Sequence, residues 1–165
     1  MTHRIEIDLA AQRLWLLDDA ERILATHPVS TARNGAGERN GSHCTPRGAH
    51  RIRAKIGAGA APGTVFVGRR PTGEIYSPAL AAAHPGRDWI LTRILWLCGE
   101  EIGRNRLGSV DTMRRYIYIH GAPDESAMGV PGSIGCIRMH NDELIDLFDR
   151  VAVGTKVLIR EGDGS

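Results

Sequence analysis

The chain lacks the features that would staple or anchor it. Its three cysteines, Cys44, Cys98 and Cys136, form no C-x-x-C pair and no disulfide framework, and at least one thiol stays free in the monomer. Charge of either sign is scarcely in excess. With 21 basic and 19 acidic residues the formal net charge is +2, too balanced to imply nucleic acid as a partner. The strongest apolar run, "WILTRILWLCG" at residues 89–99, is broken by Arg93 and too short to span a bilayer, so a soluble protein without an integral membrane segment is expected. Glu6 and Asp8 stand where a secretion signal needs unbroken apolar sequence, and none is read there. No repeat or linker appears, and residues 1–165 read as a single domain, long enough to bury roughly two thirds of its extended surface.

What is present points to strands. The 20 glycines and 8 prolines favour many turns between short strands. Ile5, Ile7 and Leu9 alternate with Glu6 and Asp8, and Arg13–Leu17 returns as the second arm of a hairpin. Ile23–Val29 is a weaker third strand. Residues 30–49, with four glycines, form a long loop of the kind that often serves binding. His50–Ile56 alternates again, residues 64–67 make a short strand, and 71–88 is a Pro/Gly-punctuated excursion. Ile90–Leu97 reads as a central strand, and Tyr116–His120 as a strand carrying Tyr116, Tyr118 and His120 on one face. Beyond Cys136 the period changes. Asn141 is expected to cap a helix with Asp142 and Glu143 in its first turn and Leu144, Ile145, Phe148 and Val151 as its buried stripe. Lys156–Arg160 closes as a last strand. A mainly β domain with seven or eight strands and one helix, directly after Cys136, is the expected architecture.

The segment "GSIGCIRMHND" (residues 132–142) raises the chemical question. Cys136 could be an inert core thiol packed by Ile134 and Ile137, the usual fate of a free cysteine. It could be a metal ligand with His140, and with His120 or Cys44 added, although structural zinc usually shows tighter ligand pairs. Or it could be a nucleophile. Gly132 and Gly135 permit close backbone approach, and Arg138 shares strand parity with the thiol. A nucleophilic thiol needs a cation or imidazole nearby, because a free cysteine with a pKa of about 8.5 is mostly protonated. His120, at a strand end, is the best candidate base. His27, His43, His50 and His84 are expected to be solvated. The basic residues Arg47, Arg51, Arg53 and Lys55, then Arg69 and Arg70, read first as a solvated strand face and second as a surface meeting an anionic ligand.

Residues 116–159 then carry a resemblance. His120-Gly121, Gly129, Ser133-x-Gly135-Cys136-x-Arg138-Met139, Asp142 and Val153-Gly154-Thr155-x-Val157 are similar to the catalytic signature of the L,D-transpeptidases, the YkuD-like bacterial cell-wall enzymes. The opening hairpin and Thr45-Pro46-Arg47-Gly48 extend the likeness over about residues 4–160. The resemblance implies a YkuD-like β-sandwich with one short helix after the cysteine. It implies Cys136 as acyl-accepting nucleophile, His120 as general base oriented by the Gly121 carbonyl, and Ser133 as support of the cysteine loop. Backbone N–H groups around Gly135 and Cys136 would hold the oxyanion. Arg138, Tyr118 and Ile134 fall at substrate-contacting positions, with Arg138 and the Arg47–Lys55 face meeting an anionic stem. Ile134 stands where many members have histidine, and Ala122 where many have threonine.

Peptidoglycan stem peptides, as tetrapeptide donor and acceptor amine, are the implied partners, with carbapenem-type inhibitors as acylating agents and no cofactor or metal. The implied chemistry is L,D (3-3 type) cross-linking through a thioester. The alternatives are an L,D-carboxypeptidase removing terminal D-alanine and a catalytically silent peptidoglycan-binding module in which Ile134 buries the thiol. The family's place is the periplasm or cell wall; the absence of a visible signal leaves the cytoplasm as the alternative.

Overall fold

A computed structural model describes residues 2–162. Its backbone is one curled sheet. Strands β1 (His3–Asp8), β2 (Arg13–Asp18) and β3 (Ile23–Pro28) form an antiparallel meander. Next come β4 (Gly48–Ile56), β5 (Thr64–Val67), β6 (Arg70–Ile75), β7 (Ile90–Gly99), β8 (Tyr118–Gly121), β9 (Ile137–Met139) and β10 (Lys156–Arg160). The main path runs β3-β2-β1-β10-β4-β7-β5-β6, with β8 and then β9 branching from β7. The chain's two ends are joined in parallel, Ile5 opposite Val157 and Ile7 opposite Ile159.

The alternation explains the core. Ile5, Ile7, Leu14 and Leu16 are fully buried on one side of the first hairpin. Ile52, Leu95, Leu97, Ile119 and Ile137 meet them from the other strands, and helix α2 (Asn141–Arg150) closes the cluster. Burying such side chains stabilises by roughly 1.5–3 kcal/mol each. β7 is the branch point. Its C-terminal half pairs with β4, its first residues with β5, and its opposite edge with β8. Thr92 takes a left-handed conformation (φ +76) within the register shift between Leu91 and Ile94.

Several expectations are corrected. The 71–88 excursion contains part of β6 and a short helix α1 (Pro78–Ala83), capped by Ser77 Oγ accepting from Leu80 N–H at 3.1 Å. The strand expected at 116–120 begins at Tyr118, because Tyr116 takes a left-handed conformation (φ +56), and it extends through Gly121. Asn141 lies inside α2 rather than capping it; His140 holds the cap position, with no side-chain bond. In the helix stripe Leu147 is buried and Ile145 only half-buried. The 30–49 loop is folded. It makes bridges from Ser30 to Arg138, Ala32 to Ser133 and Ala36 to Thr45.

His50, expected in solvent, is completely buried. Its ring lies 3.0 Å from the Gly48 carbonyl and 2.9 Å from Thr112 Oγ1. Burial pushes its pKa down to about 4 from 6.5, against a smaller upward pull from Gly48. Between these values the unfolded imidazole binds a proton and the folded one does not, so acidification favours unfolding. We therefore expect a contribution of about 3 kcal/mol, intact above pH 6.5 and lost progressively toward pH 4. Urea unfolding across this range should show it, with a shallower decline in His50→Gln; an unchanged slope in the variant contradicts it.

Candidate active site

β8 and β9 run in parallel, with Ile119 opposite Ile137 and His120 opposite Arg138. In this register Cys136, the residue before β9, lies opposite Tyr118. Side chains paired across a sheet share a face, so the thiol and the imidazole project from the same side of adjacent strands. Parallel neighbours need a long crossover, supplied by residues 122–135.

The cysteine segment is clamped from its outer side by the 30–49 loop. Ser30 and Arg138 exchange backbone hydrogen bonds at 3.0 and 2.9 Å, and Thr45 Oγ1 donates to the Gly135 carbonyl at 2.9 Å. Gly135 has φ +134, and a Cβ there would lie 3.1 Å from Ile117 Cδ1 and 3.3 Å from the Cys44 carbonyl. Ser133 Oγ donates to the Cys136 carbonyl at 2.6 Å and accepts from Gly135 N–H at 3.2 Å. Ser133 thus holds the turn from within. The Gly135 N–H is thereby engaged, so of the two expected oxyanion donors only the Cys136 N–H is without an acceptor among the described residues.

His120 is buried, and its Nδ1 lies 2.6 Å from the Gly121 carbonyl. A carbonyl only accepts, so Nδ1 carries the proton and Nε2 is the basic nitrogen. Gly121 allows no side chain, since a Cβ would sit 2.2 Å from Asn141 Oδ1 and 2.6 Å from the Leu91 carbonyl. Asn141 also donates to the Ala122 carbonyl at 2.9 Å and accepts from Thr92 Oγ1, fixing the chain after His120. This positioning role was hidden behind the helix-cap pattern in the sequence.

Cys136 is half-buried, packed against Phe66, Ile94 and Tyr118. Its Sγ donates to the Tyr116 carbonyl and accepts from Tyr118 N–H, each at 3.3 Å. No hydrogen bond joins it to His120 Nε2. The packing around the sulfur pushes the thiol up to about 12, with the Tyr118 N–H, Arg138 and Arg115 pulling the other way and Asp88 adding to the rise. Burial likewise pushes His120 down, outweighing the Gly121 bond. The resting pair is a neutral thiol beside a neutral imidazole.

The sulfur opens into a cleft of about 520 Å³ whose walls include Phe66, Ile90, Ile94 and Tyr118, with Arg69 and Arg115 as its cations. Ile134 stands on its rim, 58% exposed, and does not cover the thiol. Arg138 is placed differently from expectation: its guanidinium is held by Asp88 and the Gly132 carbonyl, both at 3.2 Å, and does not line the cleft. The Arg47–Lys55 face is also elsewhere. Arg47 pairs with Glu38 and Glu161, Lys55 donates to the Val151 carbonyl, and Arg51 and Arg53 border a separate depression with Cys98. Arg115, which sequence reasoning missed, has its N–H groups on the carbonyls of Gly37 and Cys44 and on Ser42 Oγ. Among the described residues no three His, Cys, Asp or Glu side chains are grouped as metal ligands. No helix there is long and apolar enough to cross a membrane.

Residues 2–159 match the model of the L,D-transpeptidase catalytic domain, YkuD. The chain belongs to this family. YqjB of Bacillus subtilis (strain 168), assigned by name to the L,D-transpeptidases, is 51% identical over 51 residues, which are 31% of this chain and 29% of YqjB. L,D-transpeptidase 3 from Mycobacterium tuberculosis, solved with a faropenem-derived adduct, superposes with a TM-score of 0.59 at 15% identity, covering 97% of this chain and 60% of that one. LdtMt1 in complex with imipenem gives 0.57 at 20% identity, over 96% and 58%. At these identities the likeness establishes the L,D-transpeptidase fold: a mainly β, curled sheet with few helices. The chain spans about three fifths of those solved chains.

A raised thiol pKa has a direct readout. Alkylation of Cys136 by iodoacetamide, followed by peptide mass mapping, should be slower at pH 7 than for a free thiol of pKa about 8.5 and should gain about tenfold per pH unit beyond pH 10. A plateau near pH 8.5 contradicts the raised pKa.

Proposed function

We propose that this domain is a cysteine acyltransferase acting on peptidoglycan stem peptides, with Cys136 as nucleophile and His120 as general base. The observation that carries the reading is a thiol opening into a cleft on the same sheet face as an imidazole whose Nδ1 is locked on the Gly121 carbonyl. Burial holds the thiol above its ordinary range and so keeps it protonated at neutral pH, and the imidazole takes the proton as the sulfur attacks.

In this reading the thiol leaves its bond to the Tyr116 carbonyl and turns about Cα–Cβ toward the imidazole on the same sheet face. Nε2 takes the proton while Sγ bonds to the carbonyl carbon preceding the terminal D-residue. Negative charge on the tetrahedral oxygen falls to the Cys136 N–H, assisted by whatever donor the bound substrate brings into register; one such donor is typically worth about 3 kcal/mol. Collapse breaks the C–N bond, the imidazolium protonates the departing amine, and a thioester remains. An acceptor amine then attacks, passing its proton to Nε2, and the C–S bond breaks to restore the thiol. The product is an L,D cross-link. Water in place of the amine makes the reaction an L,D-carboxypeptidation. The proposed substrate class supports a place in the periplasm or cell wall, with the cytoplasm as the alternative. The exposed position of Ile134 speaks against a silent binding module.

Intact-mass analysis after incubation with a tetrapeptide stem should show a thioester adduct lacking D-alanine. Cys136→Ala should show none, and His120→Ala should slow acylation by roughly 10²–10⁴-fold. Imipenem, bound in the solved relative above, should give a covalent adduct at Cys136 by the same route. Donor alone and donor with acceptor amine separate hydrolysis from cross-linking by their products. No adduct from either reagent overturns the assignment.

A further inference from the structure

The cleft lining holds two arginines, Arg69 and Arg115, and one acid, Asp88, which is paired with Arg138; neither cleft arginine has a carboxylate within ion-pair distance among the described residues. By contrast Arg138 and Arg87, close by in the fold, each grip an acid, Asp88 and Glu74. Arg115 spends its N–H groups on the 30–49 loop. Among the described residues Arg69 makes a single hydrogen bond, from Nη1 to Tyr118 Oη at 3.1 Å.

Arg69 is also held in an unusual way. Gly68 and Arg69 form the two-residue turn joining β5 to β6, with φ +56 and +64, between the paired Val67 and Arg70. Such a turn favours glycine, asparagine or aspartate, and a long side chain there is strained. The guanidinium lies over the rings of Trp96 and Tyr116, 4.9 and 5.0 Å from their centroids. A planar cation is thus stacked, oriented and left with unused donors, as bidentate carboxylate recognition requires.

Tyr118 connects the cation to the chemistry: its N–H donates to Cys136 Sγ, its phenol oxygen accepts from Arg69, and all three residues line the one cleft. In a donor stem the terminal carboxylate is separated from the scissile carbonyl by one D-residue. We propose that Arg69 forms the subsite for the terminal carboxylate of the donor stem, selecting peptides with a free C-terminal D-residue; this rests on the acyl-transfer reading above.

The test is calorimetric binding of a tetrapeptide ending in D-alanine, and of the same peptide as its C-terminal amide, in a Cys136→Ala background where no turnover intervenes. The acid should bind roughly 10- to 100-fold more tightly than the amide. Adding Arg69→Gly, which relieves the turn and so should not unfold the hairpin, should bring the ratio near one. Arg70→Gln, on the exposed neighbour, should preserve it. An unchanged ratio in Arg69→Gly, or no preference in the parent, overturns the subsite. Thioester formation with Cys136 intact reports separately. Acid preference without a thioester upholds the subsite and overturns acyl transfer; a thioester formed equally from acid and amide does the reverse.

Discussion

The parallel pairing of β8 with β9 is the constraint on which the site depends. It sets Cys136 opposite Tyr118 and Arg138 opposite His120, and so decides which side chains share a face. Three residues of β9 could not hold that register alone. β7 supports it through β8, and the 30–49 loop supports it from outside through Ser30 and Thr45. A one-residue slip would send the thiol to the opposite face. Gly121 and Gly135 belong to the same constraint: at Gly121 a side chain would collide with Asn141 and the Leu91 carbonyl, and Gly135 holds a positive φ that side chains rarely adopt.

Electrostatically, the site avoids storing a reactive ion. Burial acts on acid and base in opposite senses, raising the thiol and lowering the imidazole, and leaves both uncharged. The Arg138–Asp88 pair lies beside them. Its two charges push each group in opposite directions, so displacing Asp88 would leave Arg138 to favour the thiolate. Arg138 therefore serves the site as half of an ion pair rather than as an open anion receptor.

Much of this was legible in the sequence where one physical signal dominated. Alternation located β1 and β4, and strand parity joined Tyr118 with His120 and Cys136 with Arg138. The failures occurred where two signals competed. Pro71 and Gly73 read as loop punctuation, yet β6 is the edge strand, where a proline costs no ladder bond. Ser77-Pro78 followed by an alanine-rich stretch was a usable helix start that the surrounding glycines and prolines obscured. Asn141 matched a cap by residue type, but its amide is committed to Ala122 and its oxygen to Thr92. His50 and Arg115 could not be found locally, because Thr112, which closes over the His50 ring, lies 62 positions away and the partners of Arg115 lie 71–78 positions away.

The hairpin of β5 and β6 is attached to the rest of the sheet at only two register positions, Val65 with Leu91 and Phe66 with Ile90. The main apolar cluster draws nothing from it, and Phe66 is its buried tie to the sulfur's surroundings, so the exposed stretch beyond Phe66 can change while that anchor stays. Evolution can therefore retune which molecules are admitted independently of how they are processed, a modularity written into the branching of a single strand.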